Sequence, residues 1–273
     1  MSRQPTRGAE PVRGARGRRH GTAVATLVLT VAAGLAGCGS GSTRSTGESD
    51  RRLLVLAAAS LTDTFTTLAD DFEADHPGVT VKLAFDSSAT LAEQVNQGAP
   101  ADVLATADEA TMRTVADEGG VEGAPRIFAT NQLQLVVPTS NPAGIEKLGD
   151  IARPGVEFVV CVDTAPCGKL AGIVLDEAGI TAPAASEEVD VKAVLSKVSL
   201  DEADAGLVYA TDAVAADDDV TVVSVPGSQQ NRTTYPVAAL SGAEQPALAG
   251  EFVDLVLSPQ GRRVLSDAGF GQP

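Results

Sequence analysis

From residue 53 onward the chain alternates between short apolar or β-branched runs and longer segments whose apolar positions recur every three or four residues. Strands separated by helices are what an α/β architecture with mostly parallel sheets requires, and this alternation excludes most all-α and all-β folds. The spacing predicts strands at 53–59, 79–85, 102–106, 132–137, 156–162, 205–209, 220–225 and 234–240. It predicts helices at 61–75, 89–96, 109–118, 167–178, 191–200, 211–216, 246–257 and 259–268. In 61–75, for example, Leu61, Phe65, Leu68 and Phe72 fall on one face. Three βα units run to about residue 127, a strand of different character follows, and after "NRTTYPVAAL" (231–240) the chain finishes in helices. That pattern suggests two α/β lobes joined by a pair of crossover strands, with the C-terminal segment returning to the first.

The first fifty residues read as an address. Six arginines (Arg3, Arg7, Arg13, Arg16, Arg18 and Arg19) precede the apolar run "TAVATLVLTVAAGLAG" at 22–37, which is too short for a comfortable membrane span. Its end, Leu35-Ala36-Gly37-Cys38, resembles the lipobox of bacterial lipoproteins. The resemblance implies a signal peptide over 1–37, cleavage before Cys38 and a lipid on its sulfur. An ordinary signal peptide with a chance cysteine is the alternative. "GSGSTRSTGESD" (39–50) is a flexible tether by composition, so 38–51 links the lipid to the fold. Three cysteines would leave an odd one in a secreted chain, and lipidation of Cys38 leaves Cys161 and Cys167, as a disulfide or as two buried thiols.

Without residues 1–37 the 20 basic and 36 acidic residues become 14 and 35, a net charge of −21. A balance that acidic makes nucleic acid, or an anionic membrane surface, a poor partner.

Four strand-to-helix junctions carry small or hydroxyl residues. They are Ser60 in "AAASLTD", Ser87 and Ser88 in "AFDSSATL", Pro166-Cys167-Gly168 in "CVDTAPCGKL", and Asp190-Val191 in "EVDVKAVL". In parallel α/β sheets ligands collect at the carboxyl ends of strands, where helix N-termini offer unpaired N–H groups and a positive dipole end. Each junction alone has an ordinary explanation, because Ser and Asp cap helices and Ser60 with Asp63 has the form of a capping box. Four together favour an anion site, with Ala57, Ala58 and Ala59 giving a ligand clearance to approach the backbone.

The strings "AAASLTDTFTTLADDF", "FDSSATLAEQVNQGAPADVLATAD", "AGLVYATDA", "TYPVAAL" and "LSPQGRRVLSDAGF" closely resemble the periplasmic molybdate-binding proteins of ABC importers, over about 52–271. The resemblance implies a two-lobed periplasmic-binding-protein fold, with lobe 1 at 52–130 plus 234–273, lobe 2 at 131–233, and the ligand in the cleft between them. It implies molybdate, and tungstate of the same charge and shape, as ligand, held by Ser60 and Ser88 (hydroxyl and N–H), Tyr209 (hydroxyl), and Cys167 and Val191 (N–H only). It implies a monomeric, lipid-anchored extracytoplasmic protein that delivers molybdate to a membrane permease, with no cofactor and no free metal cation. The same fold holding sulfate or phosphate is the alternative. Cys167, where the family often has alanine, is tolerable because only its main chain is needed; Asp86 is awkward and is expected to turn away from the cleft.

The chemistry is reachable. A tetrahedral dianion offers only acceptors, and about seven donors at roughly 1.5–3 kcal/mol each leave room for a net near −8 kcal/mol, a dissociation constant of about 1 μM. An enzyme reading lacks a base, since His76 lies some fifteen helical residues, roughly 20 Å, from Ser60. Phosphate-cradling, dinucleotide and clustered His/Cys metal motifs are absent from the sequence. Tyr209 could also be a half-buried aromatic closing a strand, and Tyr235, before Pro236, is assigned a structural role.

Overall fold

The structure, a computed structural model, describes residues 51–273. The expected signal segment 1–37 and lipidated Cys38 lie outside the described residues, as does the tether except for Arg51, which opens the first strand. Nine strands form one sheet: β1 (Arg51–Ala58), β2 (Val79–Asp86), β3 (Val103–Ala105), β4 (Arg126–Pro138), β5 (Phe158–Cys161), β6 (Ser186–Glu188), β7 (Ala205–Tyr209), β8 (Val220–Val223) and β9 (Arg232–Ala239). Their order is β2-β1-β3-β9-β4-β7-β5-β6, with β8 pairing on β4. The helices are α1 (Thr62–Asp75), α2 (Ser88–Asn96), α3 (Glu109–Asp117), α4 (Pro166–Glu177), α5 (Val191–Ser199), α6 (Ala210–Ala215), α7 (Pro246–Leu257) and α8 (Pro259–Asp267).

The sheet is more mixed than the alternation predicts. β1 pairs in parallel with β2 and β3, and β5 with β6 and β7. The joint between these sets is antiparallel: β3 with β9, and β4 with β9, β7 and β8. β4 spans both sets, its first half on β9 and its second half on β7 and β8. The spacing predicts only its second half, 132–137; the opening residues carry no strand signal, since Arg126 and Ile127 are exposed and a register shift interrupts the pairing between Ile127 and Ala129. The spacing predicts no strand at β6, because its residues, Ser-Glu-Glu, carry no apolar signal, as suits a short charged edge strand.

Alternation along the central strands places layers on both faces. Leu53, Val55 and Ala57 of β1 join Phe65, Leu68 and Phe72 of α1 in the main core, while Leu56 joins Leu91 of α2 and Met112 and Val115 of α3 in a second cluster. A strand buried on both faces must be apolar throughout, which explains the uninterrupted run that ends in alanines. In the other parallel set, Phe158 and Val159 of β5 pack with Leu170 and Val174 of α4 and Val194 and Val198 of α5. Gly168 permits this, since a Cβ there would collide with the Val162 carbonyl oxygen just past β5. A disulfide between Cys161 and Cys167, with Cα atoms 5.8 Å apart, also ties the start of α4 to the end of β5.

Asp102, in the "GAPADV" string, is a buried structural anchor: Oδ2 accepts the Leu54 N–H at 2.7 Å and Oδ1 the Gln245 N–H at 2.9 Å. The C-terminal helices return to the first parallel set. Phe252 of α7 meets Phe65 and Phe72 edge-on at 6.0 and 5.4 Å, and Gly271 exchanges two backbone hydrogen bonds of 2.9 Å with Thr130 of β4. His76 ends α1, stacked on Phe72 at 3.9 Å with Nε2 2.8 Å from Glu251 Oε2, and its role is structural. Because Phe252 is wholly buried between two aromatic rings, Phe252→Ala is expected to cost about 3–5 kcal/mol of stability. Denaturant unfolding of the fragment from residue 39 measures this.

Candidate functional site

The carboxyl ends of the two parallel sets face one cavity of about 220 Å³, counted to its open mouth. A space this small suits an ion and not a drug-sized ligand. One wall is Ala58–Ser60 at the end of β1, Asp86–Ser88 at the end of β2, and Ala107 after β3. The other is Pro166 and Cys167 after β5, Asp190 and Val191 after β6, and Tyr209 at the end of β7. All five residues singled out from the sequence, Ser60, Ser88, Cys167, Val191 and Tyr209, are brought together here although 149 positions separate the first from the last.

Local structure explains what each presents. Ser60 lies in a 3₁₀ turn, Ala59–Leu61, and α1 begins only at Thr62 with no side-chain cap, so the capping-box expectation fails. The Ser60 hydroxyl instead meets the Tyr235 hydroxyl at 2.9 Å. Ser88 is the first residue of α2 and its Oγ accepts the Ala107 N–H at 2.9 Å. Pro166 takes the first position of α4, where its missing N–H costs nothing, and leaves Cys167 to present one. Asp190 caps α5 by accepting the Ala193 N–H at 2.9 Å, which leaves Val191 in the first turn with an N–H free of intrahelical acceptors.

Tyr209 is 1 % exposed and its hydroxyl has no hydrogen-bond partner among the described residues. Leaving a buried hydroxyl unpaired costs about 1–3 kcal/mol, so a donor in this position is matched to a ligand that is an acceptor. Burial, then Tyr235, Asp108 and Asp212, push its pKa well above the ordinary phenol value, so it keeps its proton.

Two features depart from expectation. Asp86 is among the lining residues instead of turning away, and with Asp190 it gives the wall two carboxylates. Each is engaged by a backbone N–H; for Asp86 this is Ser87, 2.6 Å from Oδ1. Tyr235, assigned only to packing, reaches Ser60 with its hydroxyl. Its place on β9 was legible, but nothing in the sequence relates it to a serine 175 positions earlier. Ala107, which satisfies Ser88, also had no sequence signal; its carbonyl is held by the Thr233 hydroxyl of β9.

Beyond these two carboxylates, lysine–aspartate pairs stand at the rim of the cavity. Lys192, beside Val191, lies 3.2 Å from Asp63 of α1, and Lys169 of α4 lies 3.5 Å from Asp108 at the start of α3. Both pairs join the two walls, yet exposed pairs contribute only about 0–1 kcal/mol each and are screened by salt, so they bias closure without locking it. Lys192 also lies 3.3 Å from Asp212, which is fully buried in α6. Burial opposes the charge on Lys192, but Asp212 and Asp63 outweigh it and raise its pKa. For Asp212 burial dominates over Lys192 and raises the pKa from 3.8 to about 6. A carboxyl whose folded pKa is raised holds its proton longer than the unfolded chain does, so this group subtracts stability as pH rises from about 4 to about 6. Asp212→Asn is therefore expected to remove that part of the slope, read as urea midpoints across pH; an unchanged slope would mean that Asp212 does not titrate there.

No group of three or more His, Cys, Asp or Glu placed to hold a metal ion occurs among the described residues, and no helix among them is long and apolar enough to cross a membrane. Comparison with known proteins matches residues 53–271 to the bacterial extracellular solute-binding proteins. The molybdate-binding protein ModA of Mycobacterium tuberculosis is 43% identical over 245 residues, covering 88% of this chain and 94% of that protein. Among solved structures, the periplasmic molybdate-binding protein of Azotobacter vinelandii matches with a TM-score of 0.70 at 21% identity, over 81% of this chain and 99% of that one. The sulfate-binding protein SubI of M. tuberculosis also reaches 0.70, at 18% identity over 81% of this chain and 86% of that one. The two structures establish the two-lobed α/β fold; their equal scores mean that the fold does not choose the anion.

Proposed function

The chain belongs to the bacterial extracellular solute-binding proteins, and from that premise we propose that it captures molybdate outside the cytoplasm and delivers it to the membrane permease of an ABC importer. The observation that carries this is the convergence of hydroxyl and backbone N–H donors from five strand ends on one small cavity, in a chain 43% identical to a molybdate-binding protein. A fully deprotonated tetrahedral oxyanion accepts on every oxygen, so the ligand set is Ser60 and Ser88 through hydroxyl and N–H, Tyr209 through its hydroxyl, and Cys167 and Val191 through N–H. Tungstate, matching molybdate in charge and shape, binds the same donors. Sulfate has shorter bonds to oxygen, so one spacing of donors does not serve both sizes equally.

In this reading lobe 1 comprises 52–130 and 234–273, and lobe 2 comprises 131–233; the divisions fall in β4 and β9, the strands shared by both parallel sets. Neutral donors suit transport because no salt bridge to the ligand has to break at release, and the flanking lysine pairs are weak enough to open. The lipobox at 35–38 supports anchoring of a monomer to the membrane through Cys38, with the tether giving the lobes reach to the permease.

Calorimetric titration of the fragment from residue 39 is expected to show one site for molybdate and for tungstate, and much weaker binding of sulfate; equal affinity for sulfate would sink the substrate assignment. Ser60→Ala and Ser88→Ala are each expected to weaken molybdate binding by roughly 1–3 kcal/mol without loss of fold. If neither changes affinity, the ligand sits elsewhere. The chain has two tyrosines and no tryptophan, and Tyr209 and Tyr235 are both at the cavity or directly behind it, so intrinsic tyrosine emission is expected to report the titration without a label.

A further inference from the structure

Each serine hydroxyl of the site has a single proton, and a ligand made only of acceptors can use that proton only if the protein does not. For Ser88 the direction is settled locally: its Oγ accepts the Ala107 N–H, which leaves its proton for the cavity. No backbone donor among the described residues reaches Ser60; its Oγ meets Tyr235 Oη at 2.9 Å, and in isolation either oxygen could donate. With an oxyanion bound only one arrangement satisfies both contacts: Ser60 gives its proton to the ligand and accepts the proton of Tyr235. We propose that Tyr235 is a positioning residue for oxyanion capture, whose hydroxyl donates to Ser60 Oγ and so aims the Ser60 proton into the cavity, as the Ala107 N–H does for Ser88. The proposal rests on the reading of Ser60 as a ligand.

The surroundings of Tyr235 fit this task. Its side chain is fully buried and its ring is fixed edge-on by Phe128, Tyr209 and Phe270 at centroid distances of 6.1, 6.0 and 5.3 Å, so the hydroxyl cannot swing to water. Burial, only partly offset by Ser60, holds its pKa far above the ordinary phenol range, and it remains a donor at neutral pH. β9 pairs with β3 on one side and β4 on the other, so Ser60 is aligned by the strand that joins the two parallel sets. Tyr209, from the opposite wall, packs on the same ring. One tyrosine thus supports hydroxyl donors on both walls without touching the ligand.

The test is a double-mutant cycle on molybdate affinity with Tyr235→Phe, which keeps the packed ring, and Ser60→Ala. Tyr235→Phe is expected to weaken binding about three- to tenfold, the worth of one neutral hydrogen bond, while the double variant is no weaker than Ser60→Ala alone. Independent, additive losses would overturn the proposal, because a role through general packing does not depend on Ser60. So would wild-type affinity in Tyr235→Phe when Ser60→Ala is impaired. If Ser60→Ala itself binds as tightly as wild type, the reading of the site falls and the proposal with it, an outcome distinct from the failure of Tyr235 alone. Should Tyr235→Phe not fold, ligand-free Ser60→Ala supplies a second readout: its tyrosine emission must differ from wild type if Ser60 is bonded to Tyr235, and identical emission overturns the assignment.

Discussion

The antiparallel pairing of β4 with β9 is the constraint on which the rest of this molecule depends. Each parallel set of strands can point its carboxyl ends in only one direction, and a single continuous parallel sheet would leave all of them along one edge. Two long strands that run across the junction allow the second set to face the first, so that β1, β2 and β3 end opposite β5, β6 and β7. The cavity is the space left between those ends. Its donors come from five separate turns, and small residues in most of them keep bulk away so that main-chain N–H groups can approach a shared point.

Donors are useful only when the acceptor side of each is already satisfied. Ser88 takes a backbone N–H, Asp190 caps the helix whose first N–H faces the site, and Pro166 removes a donor that would have had no task. Tyr209 is the exception: its hydroxyl has no hydrogen-bond partner among the described residues, which suits it to donate to an acceptor. The pocket is thus prepared for an acceptor in its free state, and little of the binding energy has to be spent on turning hydroxyls.

Charge is handled by distance. The chain is strongly acidic, two carboxylates reach the cavity wall, and among the described residues no lysine or arginine lines it. Backbone N–H groups hold one oxygen of each of those carboxylates, and Lys192 and Lys169 stand just outside, paired across the walls with Asp63 and Asp108. Weak, screened pairs of this kind favour the closed arrangement while leaving it reversible, which a carrier that must release its cargo needs. The cost sits deeper, at Asp212, buried beside Lys192 with its pKa raised to about 6.

Much of this was legible in the amino-acid order because it is local physics. Hydrophobic periodicity located all eight α-helices of the described residues, and strands buried on both faces announced themselves as apolar runs; Ser60, Ser88, Cys167 and Val191 were recognisable in small, donor-bearing turns between strand and helix, while Tyr209 followed from the family resemblance. What escaped was whatever depends on neighbours distant in the chain. β6 is polar because it is an edge, the opening of β4 is exposed and irregular, and Ser60, which has the local pattern of a helix cap, is turned to Tyr235 by packing. Local sequence determined which groups could donate to an anion; only the tertiary structure decided which partners hold those groups in place, because a hydrogen bond across 175 residues leaves no trace in the spacing of either end.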